Sequence, residues 1–177
     1  MRITISGVPG SGKSTVANIV SKKLRLKHYS IGDFMREIAQ KRGTTILELS
    51  KLAEKEKGID RELDERQRML NSENGIVVDS RLGFHFIPDS FKVFLDASPE
   101  EAGKRIFNAK RKIEMENTTL AKTIENIKRR KESEGLRYRE FYGINPFEKE
   151  NYDLVIDTTK LSPEQVADRI MTKAKNI

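Results

Sequence analysis

Hydrophobic and polar positions alternate along this chain in two periods. Arg2-Ile3-Thr4-Ile5-Ser6 is β-branched with period two and predicts a strand. From Thr15 to Leu26 the period changes: Val16, Ile19, Val20 and Leu24 fall on one helical face. Lys27–Ser30 predicts a short second strand, and a helix opens near Ile31, with Asp33 as its expected N-cap and Phe34, Ile38 and Ala39 inward. Ile46–Glu56 predicts another helix, ended by Gly58, and Asp60 is expected to cap a charged helix over Arg61–Leu70. The polarity of residues 40–70 suggests a small appended subdomain outside the core.

Ile76-Val77-Val78-Asp79 and Lys92-Val93-Phe94-Leu95-Asp96 are apolar runs that each end on a carboxylate, separated by a predicted loop over Ser80–Ser90. Ser98-Pro99-Glu100-Glu101 is a helix start, with a cap, a proline at the first position and acids in the first turn; its helix is expected to reach about Lys112. Residues 113–151 are charged and predicted helical. Tyr152–Asp157 reads as the last strand, and Ser162-Pro163-Glu164 opens a final helix with Val166, Ile170 and Ala174 inward. Strands alternating with helices, several of them continuously apolar, predict an α/β fold with a parallel sheet covered on both faces. Ligands of such sheets bind at the carboxyl ends of the strands.

Composition narrows the class. The 177 residues include 34 Lys and Arg against 27 Asp and Glu, a net charge of +7, and no cysteine. Disulfides and thiolate metal sites are thereby excluded. No apolar run reaches the roughly 20 residues of a membrane span. The N-terminal apolar run is short and leads straight into a glycine-rich turn, so a cytoplasmic monomer without a signal peptide is expected. The basic balance leaves three options: nucleic acid, an arginine-lined phosphate cleft, or a solvated basic surface.

The candidate chemistry begins between the first strand and the first helix. Gly7-Val8-Pro9-Gly10-Ser11-Gly12-Lys13-Ser14 fits the phosphate-loop pattern G-x-x-x-x-G-K-[ST] at every fixed position. Gly7, Val8, Pro9, Gly10, Ser11, Gly12, Lys13, Ser14 and Thr15 are the candidate ATP contacts. Backbone N–H groups and a helix N-terminus cradle phosphate there, and Lys13 is placed to reach the outer phosphates. The Ser14 hydroxyl and the strand-end carboxylate of Asp79 are candidate Mg²⁺ ligands. Arg36 and Arg81 follow the second and third strands and are placed to fork onto a second phosphate. In the basic run Ile127–Tyr138, Arg130 and Arg137 lie seven apart, on one face of a continuous helix. That run reads either as a solvated, ion-paired face or as a mobile lid.

Taken together, these residues resemble the nucleoside monophosphate kinases, and among them the archaeal-type cytidylate kinases, over nearly the whole chain. The resemblance rests on the phosphate loop, on Tyr29-Ser30-Ile31-Gly32-Asp33-Phe34-Met35-Arg36, and on Asp60-Arg61-Glu62-Leu63-Asp64-Glu65-Arg66-Gln67. It rests also on Val78-Asp79-Ser80-Arg81, on Phe86-Ile87-Pro88-Asp89 before the fourth strand, and on Arg130-Lys131-Glu132-Ser133-Glu134 with Arg137-Tyr138. It implies a three-layer P-loop fold with strand order 2-3-1-4-5, a helical monophosphate-binding insert over about 32–72 and a helical lid over about 110–145. It implies ATP with Mg²⁺ as donor, CMP or dCMP as acceptor, and catalytic roles for Lys13, Arg130 and Arg137. Acceptor binding would fall to Gly32, Asp33, Arg36, Arg61 and Arg81. The chain departs from the wider family at Ile31, Ser80 and Leu82, and it lacks the long insertion that bacterial cytidylate kinases use to read the base. AMP, UMP or a small hydroxylated acceptor therefore stay open, as does an RNA- or ribosome-associated ATPase.

Overall fold

The computed structural model describes residues 1–55, 57–109 and 119–175. Its elements are β1 (Arg2–Gly7), α1 (Lys13–Leu24), β2 (Lys27–Ser30), α2 (Ile31–Lys41), α3 (Ile46–Lys55), α4 (Lys57–Leu70) and β3 (Ile76–Asp79). Then come α5 (Gly83–Phe86), β4 (Phe91–Asp96), α6 (Pro99–Asn108), α7 (Leu120–Tyr142), a 3₁₀ turn at Lys149–Asn151, β5 (Leu154–Asp157) and α8 (Pro163–Ala174).

The five strands form one sheet in the order β2-β3-β1-β4-β5, as the family resemblance implies. Every pairing is parallel. Parallel strands need crossovers, and helices supply them on both faces. On one face Ile3, Ile5, Val77, Val93 and Leu95 pack against Val16, Ala17 and Val20 of α1 and Val166, Ala167 and Ile170 of α8. On the other face Ile76 and Val78 join Ile38, Leu49, Ala53, Ile59, Leu63 and Leu70 from α2, α3 and α4.

That second cluster corrects one expectation. Residues 40–70 do not stand apart from the core; their apolar face completes it. Strongly charged outer positions hid a stripe of Leu and Ile at helical spacing. Other boundaries shift as well. The N-cap of α2 is Ser30, whose side chain accepts from the Asp33 backbone N–H, so Asp33 lies inside the first turn. Gly58 does not end a helix, and Asp60 does not begin one, because α4 already starts at Lys57. The loop after β3 contains the short α5. The helix begun at Pro99 ends at Asn108, and the expectation that it reaches Lys112 falls outside the described residues. The charged stretch is helical over Leu120–Tyr142 and stops at Gly143, whose left-handed backbone closes the helix. Val166, Ile170 and Ala174 are buried along α8, as their spacing predicts.

Candidate active site

The glycine loop closes on its own lysine. Val8 N–H donates to Leu95 O at 3.1 Å, and Ser11 Oγ donates to Val8 O at 2.8 Å. Lys13 Nζ donates to the carbonyls of Gly7 at 3.1 Å and Val8 at 2.7 Å, which places the ammonium inside the curl of the loop. Burial, and then the nearby Arg81, hold the Lys13 pKa well below its ordinary value, against the opposing pull of Asp79 and Glu134. Gly10 is required by packing: a Cβ there would lie 2.6 Å from Ala102 O of α6, and its φ is +80°.

The carboxyl ends of β2 and β3 finish level, with Ser30 paired to Asp79 in register. Ser14 Oγ at the start of α1 donates to Asp79 Oδ2, and Ser30 Oγ donates to the same oxygen at 3.3 Å. This is a hard, all-oxygen donor set of the kind that suits Mg²⁺. Among the described residues no three His, Asp or Glu side chains cluster as a metal cage. A Mg²⁺ that keeps its waters and nucleotide phosphates as ligands needs no such cage.

Beyond β3 the arginines gather around a residue that carried no role in the sequence. Glu134 is 7% exposed; its Oε2 accepts from Arg81 Nε at 2.7 Å and its Oε1 from Arg130 Nε at 2.9 Å. Burial alone would raise its pKa, but the two guanidinium groups prevail and take it down to about 2. One turn further along α7, Arg137 donates to Tyr138 Oη at 3.2 Å, and its guanidinium carbon lies 4.9 Å from the centre of that ring. Its Nε stands 3.6 Å from Asp60 Oδ2 on α4.

Most of these residues line one cavity of about 580 Å³. Pro9 to Thr15, which follow the central strand β1, line it together with Asp79, Arg81, Arg130, Glu134 and Arg137. At one end lie Ile31, Gly32, Met35, Arg36, Asp60, Leu63 and Leu82. At the other are Arg105, Ile106, Ala109, Leu161 and Pro163. Arg105 is fixed there by bonds to Glu101 Oε1 at 3.0 Å, Thr158 Oγ1 at 3.0 Å and Thr158 O at 2.7 Å.

Two expected acceptor contacts lie elsewhere. Arg61 is exposed and is not part of the cavity wall. Asp33 is also outside the wall and exposed; it accepts from Arg36 Nε at 3.1 Å, so it positions the arginine that does line the cavity. Gly7 and Val8 do not line the cavity and give their carbonyls to Lys13. The sequence held one unused pointer to Glu134: an acid four residues after Arg130. Asp60 had read as a cap, and Arg105 had no motif around it.

Comparison with known proteins agrees with this architecture. A family described as the cytidylate kinase-like family matches residues 2–160. The chain belongs to the cytidylate kinase-like family. It is 42% identical over 170 residues to the cytidylate kinase of Sulfurisphaera tokodaii, covering 94% of this chain and 91% of that one. It is also 39% identical over 172 residues to an S-adenosylmethionine-dependent nucleotide dehydratase of Lacinutrix mariniflava, covering 96% of this chain but 35% of that longer protein. Among solved structures, the shikimate kinase of Bacteroides thetaiotaomicron superposes with a TM-score of 0.68 over 99% of this chain and 97% of that one, at 15% identity, a likeness of fold alone. The member described here is an ATP-dependent phosphotransferase.

Proposed function

We propose that this kinase transfers the γ-phosphoryl group of ATP to CMP, and also to dCMP, giving ADP and CDP or dCDP. The observation that carries the reading is one cavity lined by the phosphate loop after the central strand, by residues from both sides of it, and by Arg81 and Arg130 drawn together by Glu134. The cytidylate kinase relatives support the choice of acceptor.

The ATP base enters the end walled by Arg105, Ile106 and Pro163, and its phosphates follow the loop to Lys13. Arg36 and Arg81 hold the acceptor phosphate. Ser14 and Asp79 are the residues that would hold Mg²⁺, and the ion, when bound, would neutralise charge on the ATP phosphates. The bond from the γ-phosphorus to its bridging oxygen breaks as an acceptor phosphate oxygen takes its place. That oxygen is already anionic at neutral pH, so no general base is required. Catalysis is positioning and charge neutralisation, and in this reading Lys13, Arg130 and Arg137 surround the migrating group. Residues 32–72 act as the acceptor-binding insert, and α7 (Leu120–Tyr142) closes as the lid that keeps water from the phosphoryl group, while residues 110–118 of the expected lid lie outside the described residues.

A coupled ATP-consumption assay across CMP, dCMP, UMP, AMP, GMP and shikimate tests this. CMP and dCMP should give the highest kcat/KM. A clear preference for any other acceptor overturns the assignment.

A further inference from the structure

Tyr138 follows Arg137 on α7, lines the cavity and is half-buried. Its ring packs against the apolar cluster built by α2, α3 and α4, with the centre of the Tyr142 ring 6.0 Å away. Residues one apart on a helix do not ordinarily face each other. Here the Arg137 guanidinium lies over the Tyr138 ring, its carbon 4.9 Å from the ring centre, and donates to Tyr138 Oη at 3.2 Å. A phenol oxygen that accepts from an arginine still has its own proton to give. Among the described residues that proton has no acceptor. The charged groups around the hydroxyl are Arg137, Glu134 and Arg81, all of which line the cavity. Both Glu134 oxygens are already engaged, Oε2 by Arg81 and Oε1 by Arg130. Burial pushes the Tyr138 pKa up, Arg137 opposes that rise and Glu134 adds to it, so the group is a neutral donor at neutral pH.

An anionic oxygen seated against this hydroxyl lies beside the guanidinium groups of Arg81 and Arg137. A further cation at that point would repel both of them and Lys13, whereas a hydroxyl adds a hydrogen bond without adding charge. It also leaves more negative charge on the phosphate whose oxygen must attack. We infer that Tyr138 is a further substrate contact of this enzyme: its hydroxyl, held in place by Arg137, donates to a non-attacking oxygen of the acceptor phosphate. This rests on the proposed kinase reaction and adds a residue to it. A phosphate monoester has three terminal oxygens, of which one attacks. A bond to one of the other two stops the phosphate turning about its ester bond, and so keeps the attacking oxygen aimed at the γ-phosphorus. No proton is transferred in that role.

Tyr138→Phe is the test, because it keeps the ring and its packing and removes only the hydroxyl. Steady-state kinetics should show kcat/KM for CMP lower by about 10- to 100-fold. KM for ATP should stay within about twofold of wild type. A hydroxyl that only oriented Arg137 would also lower kcat/KM, so the change is made again in an Arg137→Lys background, which keeps a cation beside Asp60; Arg137→Gln serves if the lysine form does not fold. There Tyr138→Phe should still lower kcat/KM for CMP at least about fivefold, since a direct contact adds to the loss of the arginine. Calorimetric titration of CMP gives the same comparison where turnover in that background is too low to read. A folded Tyr138→Phe enzyme within about threefold of wild-type kcat/KM for CMP overturns the inference while the kinase assignment stands. It is overturned equally if the effect disappears in the Arg137-substituted background, or if the loss falls on KM for ATP instead of on CMP. If the wild-type enzyme phosphorylates neither CMP nor dCMP, the proposed function itself falls and this contact with it.

Discussion

Glu134 is the residue on which the site's charges turn. Two arginines meet on its one carboxylate. Removing the shared partner leaves the buried Arg81 guanidinium without its anion and beside a second cation, so Glu134→Gln should cost about 3 kcal/mol in denaturant unfolding at neutral pH. The sign with pH follows from its depressed pKa, about 2 against an ordinary 4.5. The stabilisation is fully present above about 4.5 and is lost as pH falls through about 2. Denaturation midpoints of wild type and Glu134→Gln should therefore converge on acidification from pH 5 toward 2, and parallel curves would sink the account. Arg130 separates differently, because its side chain is 35% exposed and Glu134 keeps Arg81 when it is removed. Arg130→Ala should lower kcat roughly 10³-fold while raising the CMP KM only a few-fold. Equal turnover in that variant would remove Arg130 from the phosphoryl-transfer step. Lys13 was legible from the loop motif and Arg36 and Arg81 from the strand ends, while Arg130 and Arg137 lay in a basic run that left a lid and a solvated face both open. Their organiser was not legible, since an acid four residues after an arginine on a helix is the ordinary mark of an exposed ion pair. Only the fold brings Arg81 from β3 to the other oxygen of Glu134.

At the level of elements, α6 is wedged between the phosphate loop and the arginine helix. Ala102 meets the loop at Gly10, and the next residue, Gly103, meets α7: a Cβ there would lie 2.5 Å from Ile124 Cγ1. Helix propensity favours Gly103→Ala by about 1 kcal/mol. The clash is with a branch carbon close to the α7 backbone, so overpacking of about 1–3 kcal/mol opposes and should exceed it. The variant should melt lower than wild type, and a rise in Tm would show that α7 gives way freely. Turnover should drop with it, because displacing α7 moves Arg130 and Arg137 relative to Lys13. The strand and helix order was readable from period and punctuation. The α6–α7 contact was not, because a glycine inside a helix gives no sign in sequence of what passes over it. The same limit explains α2, α3 and α4: their charged outer faces dominated the composition, while the stripe from Ile38 to Leu70 was core all along.

For the whole molecule the decisive quantity is where the net charge of +7 sits. The sequence left three readings of that charge: nucleic acid, an arginine-lined phosphate cleft, or a solvated basic surface. The cavity wall does not carry the surplus: it holds six cationic and five acidic side chains, so most of the excess lies outside it. A near-neutral cleft of close ion pairs suits phosphates that displace carboxylates from arginines one at a time. A diffuse outer surplus suits solubility and weak attraction of any polyanion. These two locations make opposite demands of RNA. Were RNA the ligand, its phosphates would engage many outer cations at once, and affinity would fall steeply with salt yet persist near physiological strength. With the surplus spread over a solvated surface, association with a single-stranded RNA should be measurable only at low salt. It should vanish by about 0.15 M, where the screening length is about 8 Å. Fluorescence anisotropy across a salt series, run beside ATP turnover with and without CMP, separates the cases. The expected result is RNA binding lost by that salt, no ATP turnover stimulated by RNA alone, and CMP-dependent turnover unchanged by added RNA. Sub-micromolar RNA binding at that salt, with ATP hydrolysis that needs no monophosphate, would move the function from the cleft to the surface.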